Sequence, residues 1–311
     1  MHPLKAERIR GIWGTVLLPI RQGDLIDFGR LATELDYLLE SGLDGIYTNG
    51  TAGEFHLQTE DEFDRISILA AERCRTARVP FQIGASHPDP VVSYERIRRA
   101  AALRPGAIQV ILPDWWPVSN TEAISALLRY AEAADPIPLV LYNPPHAKRV
   151  LEPEDLVEIT NAVPALVGVK VLGGDPSWYA RMQPVIGRVS IHVAGHTLAS
   201  GFACGASGSY SNVACLHPRG AVRLWRLMQR ELVEAIEQEE RIRRFITEWI
   251  KPLAAEQRLS NTALDKLLAA VGNWADVGTR VRRPYAGAPP ECVGPLRTAA
   301  RELIGDDFFE D

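Results

Sequence analysis

The feature that most constrains this chain is an alternation. A short, almost uninterrupted apolar run is followed by an amphipathic stretch, and the pair repeats eight times before about residue 230. The apolar runs are residues 11–19 (GIWGTVLLP), 44–49 (DGIYTN), 79–85, 107–113 (AIQVILP), 138–143 (PLVLYN), 165–172 (ALVGVKVL), 189–194 and 206–210. Helical periodicity follows each of them. Phe28, Leu31, Leu35, Leu38 and Leu39 recur at helical spacing until Gly42, and capping boxes at Thr59/Glu62 and Ser119/Glu122 open the second and fourth helices. Asp175-Pro176 opens the sixth, a cap followed by the proline favoured at the first helical position. Strands apolar on both faces belong to a parallel sheet covered by helices, and eight such units favour a closed (β/α)8 barrel over an open doubly wound sheet. No G-x-G-x-x-G follows the first strand, which weighs against dinucleotide binding.

After the eighth unit the alternation stops. The remainder is helical, over about 232–255, 261–271 and 295–304, with a proline-rich loop, RRPYAGAPPE, at 282–291. We therefore read residues 1–230 as the α/β barrel and residues 231–311 as a C-terminal helical extension packed on it.

Composition narrows the possibilities further. The 311 residues carry 34 basic and 39 acidic side chains, a net charge of −5 that excludes binding nucleic acid by bulk electrostatics. No run approaches a membrane span and the N-terminus lacks a secretory apolar segment, so a cytoplasmic protein is expected. The cysteines, Cys74, Cys204, Cys215 and Cys292, are scattered and read as free thiols. His192 and His196 fall on a strand running into a loop, where residues four apart lie about 13 Å from each other, too far to share a metal. Only five of the basic residues are lysines: Lys5, Lys148, Lys170, Lys251 and Lys266.

Barrel chemistry sits at the C-terminal ends of the strands. Those ends carry Thr51, Asp114 to Trp116, Tyr142 and Asn143, Lys170, His196, and Ser209, Tyr210 and Ser211. Lys170 stands apart, because it lies inside an apolar strand. A structural lysine there would snorkel to solvent or pair with a carboxylate. An unpaired one must have a depressed pKa, and a neutral amine can attack a carbonyl to form a Schiff base. Tyr142 ends the preceding strand, where it is either a core residue with a satisfied hydroxyl or a proton carrier beside the lysine. The loop N-G-T-A-G-E at 49–54 can present successive backbone N–H groups and the Thr51 hydroxyl to a carboxylate, or can be an ordinary glycine-rich turn.

Taken in order, GTAGE at 50–54, YNPP at 142–145 and GVK at 168–170 resemble the motifs of the dihydrodipicolinate synthase and N-acetylneuraminate lyase family. The segment GASGSYSNVACLHP at 205–218 and VRRP at 281–284 extend the similarity over nearly the whole chain. The resemblance implies a (β/α)8 barrel with a C-terminal helical domain, a homodimer or homotetramer, and no metal or organic cofactor. It further implies that Lys170 forms an imine with C2 of a 2-oxo acid and that Tyr142 shuttles protons. Gly50, Thr51 and Ala52 would then hold the substrate carboxylate, with Trp115, His146, His196, Ser209 and Tyr210 as further substrate contacts.

Four departures separate the chain from the lysine-biosynthetic members. Ala52 replaces a hydroxyl residue, Asp114 and Trp115 stand where an aromatic pair with a relay tyrosine belongs, Ala147 replaces a carboxylate-binding arginine, and Val171 replaces an acidic residue. They point to a pyruvate-releasing aldolase or a dehydratase of a 2-keto-3-deoxy sugar acid or related 2-oxo acid. The alternatives are a non-catalytic 2-oxo acid-binding paralogue and 4-hydroxy-tetrahydrodipicolinate synthase itself. A barrel enzyme acting on phosphorylated sugars through Gly173-Gly174 is a weaker possibility.

Overall fold

The computed structural model describes residues 1–210 and 212–310; Ser211 lies outside the described residues. Eight parallel strands close into a barrel in sequence order. They are β1 (Gly11–Thr15), β2 (Gly45–Thr48), β3 (Phe81–Gly84), β4 (Ala107–Val110), β5 (Leu139–Tyr142), β6 (Leu166–Lys170), β7 (Ser190–Val193) and β8 (Gly208–Tyr210). The first seven helices are α1 (Phe28–Glu40), α2 (Glu60–Ala77), α3 (Pro90–Ala102), α4 (Asn120–Ala134), α5 (Pro153–Ala162), α6 (Pro176–Met182) and α7 (Leu198–Phe202). Then come α8 (Asn212–Leu216), α9 (Pro218–Met228), α10 (Leu232–Phe245), α11 (Lys251–Gln257), α12 (Asn261–Gly272) and α13 (Val293–Ile304).

Period-two alternation in the strands builds two cores. Ile12, Ile46, Ile83, Ile108, Leu141, Val169 and Ile191 face outward and pack under the helices. Burial of each such side chain contributes about 1.5–3 kcal/mol. Trp13, Tyr47, Ala107, Val140 and Tyr210 point inward and fill the barrel with Ile9. Closure between β8 and β1 depends on backbone proximity: a Cβ on Gly208 would stand 2.1 Å from the Gly11 carbonyl oxygen. Both expected capping boxes form, at Thr59/Glu62 and Ser119/Glu122, and Asp175 caps α6 through the Trp178 N–H.

The structure differs from the sequence reading at several boundaries. The first strand ends at Thr15, and residues 16–19 continue as buried irregular chain into Pro19. A short helix, α8, precedes the expected eighth one and turns residues of this segment toward the barrel mouth. The expected helix over 232–255 is three pieces, α10, a π-helical turn at Ile246–Ile250, and α11. Pro252 is the cause, since its ring removes a donor and crowds the preceding turn, and one wider turn absorbs the clash.

The C-terminal helices share the core of the barrel helices. Ile242, Phe245, Leu267, Leu296 and Ile304 belong to the same continuous apolar cluster as α1–α9. Helix α12 lies over the barrel mouth, anchored to the loop after β2. Its Thr262 hydroxyl donates to the Thr51 carbonyl at 2.7 Å, and its Lys266 pairs with Glu54, both side chains wholly buried.

Candidate active site

Lys170 ends β6, in register with Tyr142 of β5 and His192 of β7. Its neighbours Val169 and Val171 belong to the outer core, so alternation turns Lys170 into the barrel. There its Nζ lies 4.1 Å from the centre of the Tyr142 ring and 5.6 Å from those of Tyr47 and Tyr210. No carboxylate of the described residues reaches within the 4.0 Å of an ion pair. Burial in this aromatic cage pulls the Lys170 pKa down to about 8, against the opposing pull of Asp265. About a tenth of the amine is therefore neutral at pH 7 and about half at pH 8.

Burial and the nearby Asp265 push the Tyr142 phenol up to about 12, against the opposing pull of the Thr51 side chain, which lines the same cavity. Thr51 belongs to the loop at residues 49–54, which begins and ends in left-handed backbone: Asn49 and Glu54 both have φ of 52°. Such conformations persist only where surroundings over-determine them. Here Asn49 is held by Ser67 and Gln58, and Glu54 by Lys266 and the Arg282 N–H. Gly84 on β3 makes room, because a Cβ there would stand 2.5 Å from the Asn49 carbonyl oxygen.

Two neighbouring spaces form at this end of the barrel. A small inner cavity of about 50 Å³ is lined by Thr15, Tyr47, Thr51, Ala52, Tyr142, Lys170, Tyr210, Asn212, Cys215, Asn261 and Asp265. An outer chamber of about 420 Å³ shares Thr51 and Tyr142 with it and adds Phe55, His56, Pro88, Ile111, Leu112, Pro113, Asp114, Trp115, Val118, Asn143, Pro144, His146, Ala147, Leu151 and Tyr285. The two cations on its rim are committed elsewhere. Lys148 donates to the Trp115 carbonyl oxygen and lies over the Trp115 ring, and Arg149 is bound to Val118, Asn120 and Asp155.

The residues expected from sequence divide into three groups. Lys170, Tyr142, Thr51, Ala52 and Tyr210 meet at the inner cavity, with Gly50 in the loop backbone beside them. Trp115 and His146 line the outer chamber. His196 and Ser209 line neither space. Nδ1 of His196 binds the amide of Asn212, so the imidazole orients a cavity residue from behind. Ser209 follows inward Gly208 and precedes inward Tyr210, so alternation turns it away from the barrel interior. Asn143 is a clamp, bonding both the N–H and the carbonyl of Leu151 to hold the loop after β5.

Several lining residues escaped the sequence reading. His56 follows the GTAGE segment by two positions and stacks edge-on against Tyr285, whose ring comes from the proline-rich loop. Asn261 and Asp265 come from α12, whose only sequence signal is a polar face in an otherwise apolar helix. His192 lies inside the barrel, packed on Tyr210 and hydrogen-bonded to Ser190, and burial beside Lys170 drives its pKa down to about 3, leaving it neutral. Among the described residues no group of three His, Cys, Asp or Glu side chains could hold a metal ion, and no helix is long and apolar enough to cross a membrane.

A closed parallel barrel whose strand ends enclose an unpaired amine beside a phenol defines the class of lysine-bearing (β/α)8 barrels. Residues 8–291 match the Dihydrodipicolinate synthetase family, and the chain belongs to it. The chain is 28% identical over 174 residues to 4-hydroxy-tetrahydrodipicolinate synthase of Exiguobacterium sp., which is 56% of this chain and 58% of the synthase. It is 27% identical over 209 residues to N-acetylneuraminate lyase of Rhizobium meliloti, 65% of this chain and 67% of the lyase. The matched segment thus spans less than two thirds of the synthase's length. In fold it is similar to YagE, a prophage protein of the family from E. coli K12 solved in complex with pyruvate, with a TM-score of 0.84 and 20% identity over 95% of this chain and 98% of that one.

Proposed function

We propose that this protein is a class I lyase that forms an imine between Lys170 and a 2-oxo acid, then cleaves or dehydrates the adduct. The observation that carries this reading is the setting of Lys170, enclosed by three tyrosine rings without an ion pair. An amine so placed has a neutral, nucleophilic fraction near neutral pH, and the Tyr142 phenol lies at its side as a proton carrier. The backbone N–H groups and hydroxyl of Thr51 suit the carboxylate of a pyruvate unit. An iminium at C2 withdraws electrons from the adjacent carbon, so a bond to a carbonyl-forming fragment or to a β-hydroxyl can break without a metal or organic cofactor.

The outer chamber would take the distal half of the substrate. Its lining is mostly carbon and aromatic, with His56, His146 and the Asp114 carboxylate, which accepts the Lys148 N–H, as partners for hydroxyls, and Ala147 offers nothing to a second carboxylate. This supports a 2-keto-3-deoxy acid with a short or sparsely hydroxylated distal half, and speaks against condensation with a carboxylate-bearing aldehyde as in lysine biosynthesis. Ala52 removes one hydroxyl from the loop, yet Thr51 and Tyr142 still line the inner cavity with Lys170, which favours catalysis over mere binding. We expect a homodimer or homotetramer, testable by sedimentation equilibrium.

The test is a panel of 2-oxo acids assayed in the presence of a chelator, with pyruvate release and water loss detected separately. Turnover of low-polarity 2-keto-3-deoxy acids is expected. Binding of pyruvate without turnover across the panel would instead establish the non-catalytic paralogue.

A further inference from the structure

The inner cavity contains a carboxyl that no barrel strand supplies. Asp265 of α12 lines it together with Lys170 and Tyr142, and is the only acidic side chain among its lining residues. Its position is fixed from both sides. Thr262 and Lys266, one helical turn apart, clamp the same helix to the carbonyl of Thr51 and to the buried carboxylate of Glu54. Lys266 also donates to the Arg280 carbonyl at 2.7 Å. Asp265 itself has no cation of the described residues within ion-pair distance. The groups facing it are Lys170 from β6, Tyr142 from β5, Tyr47 from β2, Tyr210 from β8 and Cys215 from α8.

An amine that attacks a carbonyl must lose a proton afterwards, and Lys170 has few acceptors to give it to. The Tyr142 ring presents its face, not its oxygen, to Nζ. His192 sits beneath, outside the cavity lining. Resting on the Schiff-base reading, we propose that Asp265 is a catalytic acid–base residue that relays a proton from nitrogen to oxygen while the imine forms at Lys170. Nζ attacks C2 of the 2-oxo acid, the C–N bond forms, and the carbonyl π pair moves onto oxygen. The Asp265 carboxylate takes a proton from the nitrogen and passes it to that oxygen, giving a neutral carbinolamine and the free carboxylate again. Tyr142 then protonates the hydroxyl, the C–O bond breaks, water leaves, and the nitrogen lone pair closes the iminium. The phenolate left on Tyr142 is the base for the following bond cleavage, and the Asp265 carboxylate faces the iminium cation as its counter-ion.

Burial pushes the Asp265 carboxyl up to about 7, near the value of about 8 to which Lys170 falls, so the two groups exchange a proton at little cost around neutrality. The test is the rate of borohydride-trapped pyruvate adduct in the intact protein, measured across pH for wild type and Asp265→Asn. Loss of the relay lowers the trapping rate by about 10²-fold above pH 7, where the wild-type carboxyl is ionised, the gap narrows as pH falls below 7, and acetate restores part of the rate in Asp265→Ala. A purely electrostatic role predicts the opposite, because removing the negative charge lowers the Lys170 pKa and quickens attack near neutrality. Trapping by Asp265→Asn at the wild-type rate or faster would overturn the proposal while leaving the Schiff base intact. No adduct in wild type would overturn both.

Discussion

Two lysines lie inside this molecule, and their surroundings are opposite. Lys266 on α12 meets the buried carboxylate of Glu54 and the carbonyl of Arg280, so its charge is matched and its hydrogen bonds are filled. Lys170, at the end of β6, meets the faces of three tyrosine rings and no carboxylate within ion-pair distance. The other three lysines, Lys5, Lys148 and Lys251, are exposed. Burial alone therefore does not make a lysine reactive. A buried lysine given a partner becomes a structural bolt, here fixing the helix that covers the barrel mouth. One denied a partner keeps a depressed pKa and a free lone pair.

The comparison can be broken by removing each lysine in turn. Lys170→Met should abolish adduct formation and reduce turnover by on the order of 10⁴-fold or more, while the thermal transition survives. Lys266→Met should do the reverse to stability, destabilising the fold by about 3–5 kcal/mol because Glu54 is left buried without its counter-charge. Urea unfolding of the two variants checks the contrast directly.

A pH titration of stability sharpens the same contrast. Lys170 binds its proton less tightly folded than unfolded, its pKa falling from 10.5 to about 8. Between those values the unfolded chain holds more protons, so stability rises with pH. The penalty, about 3 kcal/mol, is fully present below pH 8 and is relieved toward pH 10.5. Wild type should gain stability relative to Lys170→Met across that window. A parallel pair of curves would show that Lys170 is paired after all.

Smaller effects are expected around the lysine. Tyr142→Phe should lower turnover by about 10²-fold yet still permit adduct formation, since proton transfer and not the nucleophile is lost. Thr51→Val should raise KM more than it lowers kcat, by roughly tenfold for one lost hydrogen bond to the substrate carboxylate.

How far the sequence carries this account depends on where each residue lies. The barrel was legible because each strand repeats the same apolar signature, and Lys170 because a lone cation interrupts one such run at LVGVK. Tyr142 and Thr51 follow from their positions at strand ends. Asp265 was not legible in that way. It reaches the inner cavity only because α12 folds back over the mouth, and a long-range placement of this kind leaves no local pattern beyond one polar face on a helix. His196 and Ser209 show the converse, since both sit at strand ends yet the backbone turns them away from the cavity. Proximity along the chain to a strand end does not fix the direction of a side chain in the loop that follows. The break at Pro252 was legible in principle, because a proline in the middle of an expected helix already signals a change of turn.

The most direct test of the central claim treats the protein with borohydride in the presence of pyruvate and maps the modified peptide by mass spectrometry. One stable reduced adduct is expected, on Lys170, with Lys266 untouched. An unmodified Lys170, with label on another lysine or none at all, would contradict it.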